Sequence, residues 1–363
     1  MFDRLLAPLL ETLRPHFGLS KTRLETLAVL LVGLANGRTV NLSHLASQFP
    51  GDAQHGSNYR RLQRFFQFVR LDGDTAARLI VGMLNCGRPK LLALDRTNWK
   101  LGSRDVNVLV LAIVTRRFRV PLMWTLLPHA GNSDTAQRIA LLERYLSLFG
   151  ASSIRALLAD REFIGAGWLK FLCENNVPFA IRLREDMQIR LADGRLRQFR
   201  SLLRKPRRGT WQGWLNGMDA VPANQLRVTA KRIKGSELLI VATNLGEGVS
   251  SLNLYRKRWG IECLFADAKT RGLNIEDTHI TDPDKLATLL VVVALAVTWA
   301  HRCASLAMGR KGIRRKAHGR REKSWFRTGF DALRNWIIHR PCQALDAWAK
   351  ACPRRSFQPA RSA

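Results

Sequence analysis

Two kinds of spacing alternate along this chain. Up to residue 86 the apolar positions recur at intervals of three and four, the repeat of helices with one buried face. "TRLETLAVLLVGLANG" (Thr22–Gly37) keeps that spacing and stops at a glycine. "SNYRRLQRFFQFVRL" follows, with Ser57 as its cap and Tyr59, Leu62, Phe65, Phe66 and Val69 on one stripe. Arg60, Arg61, Arg64 and Arg70 fall between them, a basic face that suits either solvent or DNA. From Lys90 the repeat shortens. "LLALDRTNW", "VNVLVLAIVTRRF" and "VPLMWTLLP" are β-branched runs with short breaks and predict three antiparallel strands. "DTAQRIALLERYLSLFG" returns to helix, "IRALLADREF" reads as a buried strand, "GAGWLKFLCENN" as a helix and "VPFAIRLR" as another strand.

A three-stranded meander followed by alternating helix and strand is the order of a ribonuclease-H-like α/β fold. Residues 184–248 interrupt it with short alternating runs rich in Arg and Gly, such as "NQLRVTAKRI" and "SELLIVATNL", which predict a β-rich insertion. Beyond lie the helix "YRKRWGIECLFADAK" and the run "LATLLVVVALAVTWA" (Leu286–Ala300), whose 15 residues fall short of the roughly 20 that span a bilayer. A buried core helix in a soluble protein is expected there. The expected organisation is a helical N-terminal DNA-binding domain (1–86), a catalytic core in two parts (87–183 and 249–300) around the insertion (184–248), and a basic C-terminal region (301–363). That last region holds 16 Lys+Arg against three acids and is expected to be a partly disordered tail.

Charge narrows the class of partner. Across 363 residues, 59 Lys+Arg against 28 Asp+Glu give a formal net charge of +31. Such an excess favours a polyanion, because neutralising phosphates releases counterions. The basic residues run through an apolar-patterned chain, which argues for a large nucleic-acid-binding globule over a ribosomal or membrane-surface protein. Cys86, Cys173, Cys263, Cys303, Cys342 and Cys352 form no C-x-x-C pair or metal-finger spacing, so reduced thiols are expected. With no signal-peptide pattern at the start, the expected location is the cytoplasm, on the nucleoid.

Two acids end apolar runs, where burial disfavours charge: Asp95 in "LLALD" and Asp160 in "IRALLAD". A carboxylate there must be paired, protonated or metal-bound. Each alone reads equally as a turn or cap aspartate. With Glu262 they supply the oxygen ligands that a hard divalent cation takes, and that two-metal phosphodiester cleavage needs. On a continuous helix, Arg258, Glu262 and Lys269 fall at about −60°, −20° and −40° from Tyr255, on one narrow face. Surface salt bridges would account for the charges but not for the tyrosine.

Y-x2-R-x3-E-x6-K, here Tyr255, Arg258, Glu262 and Lys269, resembles the signature of the insertion sequence 4 family of bacterial DDE transposases. Asp95 in "LALDRTNW" and Asp160 in "LLADREF" resemble that family's two aspartate contexts, and the insertion looks like the family's as well. The resemblance covers about Lys90 to Ala300. It implies cut-and-paste DNA transposition by a homodimer on the terminal inverted repeats of an element, followed by joining to target DNA. It further implies that Asp95, Asp160 and Glu262 hold two Mg²⁺ ions, for which Mn²⁺ may substitute, and that Tyr255, Arg258 and Lys269 grip phosphates. Trp259 is a candidate to stack on an extruded end base, with Trp211 and Trp214 as rivals; Asn98 and His129 are candidates to support the carboxylates. Two other readings stay open at this point: a ribonuclease-H-like nuclease without strand transfer, and a catalytically inactive DNA binder.

Overall fold

The structure, a computed structural model, describes residues 3–85, 90–102, 104–203, 208–233, 237–269 and 271–349. The chain forms two compact units, one of Met1–Cys86 with Ala266–Ala363, the other of Gly87–Phe265.

The first unit opens with α1 (Asp3–Leu13), α2 (Lys21–Gly37), α3 (Leu42–Ala46), α4 (His55–Phe68) and α5 (Gly73–Leu84). α2 is buried without a break from Thr26 to Ala35, and it ends where Arg38 turns left-handed at φ 54°. α4 starts earlier than its sequence suggests. The amides of Ser57 and Asn58 already bond the Gln54 carbonyl, so Gln54 is the cap and Ser57 lies inside the first turn. Its expected stripe buries Leu62, Phe65, Phe66 and Val69, while Tyr59 is only half-buried.

The second unit is built on β1 (Lys90–Leu101), β2 (Arg104–Val114), β3 (Arg119–Leu127), α6 (Thr135–Phe149), β4 (Ile154–Ala159), α7 (Ala166–Glu174) and β5 (Phe179–Leu183). There follow β6 (Gln188–Leu191), β7 (Leu196–Gln198), α8 (Phe199–Leu202), β8 (Arg208–Leu215), β9 (Leu226–Arg232) and β10 (Leu238–Thr243). α9 (Ser251–Tyr255) and α10 (Trp259–Ala268) come last. All ten strands join one mixed sheet in the order β3-β2-β1-β4-β5-β10-β9-β8-β6-β7. β1, β4 and β5 run parallel; every other pairing is antiparallel. The strands of residues 184–248 therefore extend the sheet through the β10–β5 pairing. Parallel neighbours need a crossover, which α6 and α7 supply, and both faces of the central strands are covered accordingly. Leu91–Leu94 and Ala156–Ala159 are buried throughout.

The first unit resumes with α11 (Pro283–Met308), α12 (Trp325–His339) and α13 (Pro341–Ala349). At 26 residues α11 is long and apolar enough to cross a membrane by length and composition. It is instead the core of its unit: α2, α5, α12 and α13 pack on it, and Trp299 meets Trp348 edge to face. The C-terminal region was expected to be a partly disordered tail, and from Trp325 to Ala349 it is instead helical and packed. Trp325, Phe326, Phe330, Leu333 and Ile337 recur at helical spacing and are buried on α12, a stripe that the charge count conceals. Residues 350–363 lie outside the described residues.

Candidate active site

The sheet topology brings the two aspartates together. β1 and β4 are parallel neighbours whose last paired residues are Leu94 and Ala159. Asp95 and Asp160 each come next, so they stand side by side at roughly the interstrand spacing of 4.8 Å. Only Asp160 lies at the end of its strand, one residue past β4. β1 continues to Leu101 on its pairing with β2, so Asp95 lies within a strand, at the point where the ladder to β4 stops. Each aspartate is turned by its own backbone: the Arg96 amide donates to Asp95 Oδ1 at 2.8 Å, and the Arg161 amide to Asp160 Oδ1 at 2.7 Å.

The third acid arrives on α10. Sequence spacing placed Tyr255, Arg258, Glu262 and Lys269 on one unbroken helix, and the structure breaks it. α9 ends at Tyr255, Arg256–Arg258 form a 3-10 turn, and α10 begins at Trp259. The tighter turn changes the angular step, yet Tyr255, Arg258 and Glu262 still reach one place. Gly260 helps set the approach, since a Cβ there would lie 3.2 Å from the Val114 side chain on β2. Lys269 falls one residue past α10, where its Nζ pairs with Glu276 Oε1 at 2.9 Å.

Arg258 links the carboxylates. Its guanidinium donates to Asp95 Oδ2 at 3.1 Å and to Glu262 Oε1, and it lies 3.6 Å from Asp160 Oδ2. The residue is buried, with 8% of its surface exposed, and its guanidinium lies over the Tyr255 ring. The Tyr255 hydroxyl donates to Asp160 Oδ1 at 3.0 Å. Arg182 on β5 adds a longer contact, 4.0 Å, to the same oxygen, and is itself paired with Glu237. Burial pushes Asp95 up to about 6, more than the Arg96 amide and Arg258 pull it down. Tyr255 is pushed up to about 12, again chiefly by burial. Burial opposes the charge on Arg258, but Tyr255, Asp160, Asp95 and the Glu262 hydrogen bond outweigh it and hold the guanidinium above its ordinary value.

Three carboxylates form a hard-oxygen donor set of the kind Mg²⁺ takes. As they stand, no three acidic, histidine or cysteine side chains among the described residues are grouped closely enough to share one ion, because each acid turns to the arginine. The set nonetheless favours a cation, since three half-buried anions side by side repel one another and are partly withdrawn from water. In chemistry the set suits a divalent ion, and Arg258 is the cation that fills its centre here.

Of the aromatic candidates, Trp259 is 63% exposed beside Arg258. Trp214 gives its indole N–H to the Val221 carbonyl at 2.7 Å, and the Trp211 ring lies against Gly209. Asn98 is exposed on β1, and His129 bonds Gln137 in the first turn of α6. The sequence reading missed Arg182, Arg96 and Glu162. The last two follow the aspartates by one and two positions, and that placement was the available signal.

The mixed sheet thus sets two aspartates on adjacent strands, with a helical glutamate closing on them. Over residues 87–299, more than half of its length, the chain matches the family described as "Transposase DDE domain", and it belongs to that family. No curated protein matches it at a significant level.

Proposed function

We propose that this chain is an insertion sequence 4 type transposase that cuts its element from DNA at the terminal inverted repeats and joins the ends to target DNA. The convergence of Asp95, Asp160 and Glu262 on one guanidinium, inside the matched family region, carries this reading. The strand order β3-β2-β1-β4-β5 supports a ribonuclease-H-like core, with residues 184–248 as an insertion that extends its sheet.

Asp95, Asp160 and Glu262 would hold two Mg²⁺ ions, or Mn²⁺. Such ions, when bound, lower the pKa of the attacking hydroxyl and stabilise the leaving oxygen. The chain's own part is to place the substrate. Arg258, released from the acids, offers the two-pronged donor that suits a phosphate. Tyr255 orients Asp160 through its hydroxyl and supports Arg258 with its ring. Lys269 would exchange Glu276 for a phosphate, and Trp259 is exposed for a base to stack on.

The first unit would hold the duplex. α4 carries no acid, and Arg60, Gln63, Arg64 and Gln67 form an exposed face while Leu62, Phe65 and Phe66 are buried on the other side. Arginine and glutamine are side chains that read base edges in the major groove. A homodimer on paired ends, working in the cytoplasm on the nucleoid, completes the proposal.

The test is incubation of the purified protein with Mg²⁺, a duplex of the inverted repeat flanking its gene, and a supercoiled plasmid. Ends joined to the plasmid are expected. Nicked ends that never join would mean a nuclease, and an intact duplex would remove the proposal.

A further inference from the structure

Beyond the three carboxylates lies a second charge arrangement to which the proposed reaction gives no role. Arg96 Nε stands 3.5 Å from Glu162 Oε1, and the two side chains are 16% and 25% exposed. Both atoms are buried and make no hydrogen bond among the described residues, so each faces the other's charge, with Arg138 a second cation near Glu162. The rest of the guanidinium is also committed. Nη1 donates to Asn107 Oδ1 at 3.1 Å and Nη2 to Asn132 Oδ1 at 3.3 Å. Asn107 is itself buried on β2 and donates to the carbonyls of His129 and Gly131 at 2.8 and 2.9 Å. One guanidinium thus ties together β1, β2, the segment before α6 and the segment after β4.

The location gives this knot its meaning. The backbone ladder between β1 and β4 stops at Leu94–Ala159, one residue before the two aspartates. Beyond that point β1 follows β2, while the chain leaving β4 enters a turn closed by the Phe163 amide on the Asp160 carbonyl at 2.9 Å. No ladder bond spans the gap where the aspartates sit. The Arg96–Glu162 pair spans it with side chains. The amides of Arg96 and Arg161 hold the aspartate carboxylates, so movement of either segment is passed on to Asp95 or Asp160. The pair also neutralises a fourth acid beside the three.

We propose that Arg96 and Glu162 are positioning residues, an ion pair that clamps the two aspartate segments together and sets the spacing of Asp95 and Asp160. The consequence for rate rests on the proposed reaction; the clamp itself does not. A misplacement of about 1 Å costs on the order of a hundredfold in rate.

The experiment compares full-length wild type with Glu162→Gln, Arg96→Met and the double variant. Hydrogen exchange in the absence of DNA and metal reads the clamp: the amides of Arg96 and Arg161 should exchange at least about tenfold faster in each single variant, with the protected strands β2 and β5 unchanged. Cleavage of a saturating inverted-repeat duplex should slow about 10- to 100-fold, while affinity for the duplex stays within about twofold. The double variant should lose no more than the worse single, since the two act as one unit. Wild-type exchange at both amides in Glu162→Gln, an isosteric change, would overturn the proposal. So would losses that multiply in the double variant. A wild type that never cleaves would sink the proposed function, and the exchange result would still judge the clamp.

Discussion

At Arg258 one buried cation serves three acids, and this changes what its removal should do. As a phosphate contact alone, Arg258→Ala would leave the fold intact. Buried itself between the half-buried Asp95, Asp160 and Glu262, it also balances their charges, and its loss should cost less than the roughly 3–5 kcal/mol of a fully buried pair. Arg258→Ala should therefore lower the melting temperature as well as cleavage, and Mg²⁺ should restore part of the stability by taking the vacated position. A melting temperature equal to wild type would show that the acids do not need it. Asp95 gives a second prediction. Burial raises its pKa from 3.8 to about 6, so the native state binds the proton more tightly than the unfolded chain does. The stability this lends is fully present below about pH 4 and is lost as pH rises through about 6. Denaturant unfolding at pH 4 and pH 7 should show wild type losing on the order of 2–3 kcal/mol more than Asp95→Asn over that interval. Equal losses would contradict the burial argument.

Among the elements, those set by long periodic patterns were legible in the sequence and those set by partners were not. The meander, α6, β4, α7 and β5 follow from apolar spacing together with run length and the turn residues between them. The break at Arg256–Arg258 was illegible, because a 3-10 turn has nearly the same apolar pattern as the α-helix it interrupts. Hence Tyr255, Arg258 and Glu262 were assigned to one face, which the structure brings together, along with Lys269, which pairs with Glu276 instead. Arg96 and Glu162 escaped notice because nothing local says that residues 66 positions apart will pair across β1 and β4. α12 and α13 were hidden by their basic flanks. Two outcomes follow from their packing. Truncation after Gly309 should leave α11 exposed and the protein aggregated, while truncation after Ala349 should leave it folded, as circular dichroism and size-exclusion chromatography would show. Gly329→Ala places a Cβ 1.8 Å from the Ala300 carbonyl where α12 crosses α11, and should cost about 1–3 kcal/mol in denaturant unfolding. A folded Gly309 truncation, or a neutral Gly329→Ala, would contradict the core assigned to α11.

For the whole molecule, a charge of +31 over a folded chain predicts DNA affinity that falls steeply with salt. A plot of log affinity against log salt with little slope would remove DNA as the reason for the charge. Binding and chemistry should separate, because the basic residues are spread across the chain while the acids proposed for catalysis are three. The most direct measurement of the central claim is cleavage of the inverted-repeat duplex in Mg²⁺ by Asp95→Asn, Asp160→Asn and Glu262→Gln, each alongside its affinity for the same duplex. The account predicts that all three bind the duplex about as well as wild type and none cleaves it. Cleavage near the wild-type rate by any one of them would remove that residue from the catalytic set and contradict the site as drawn here.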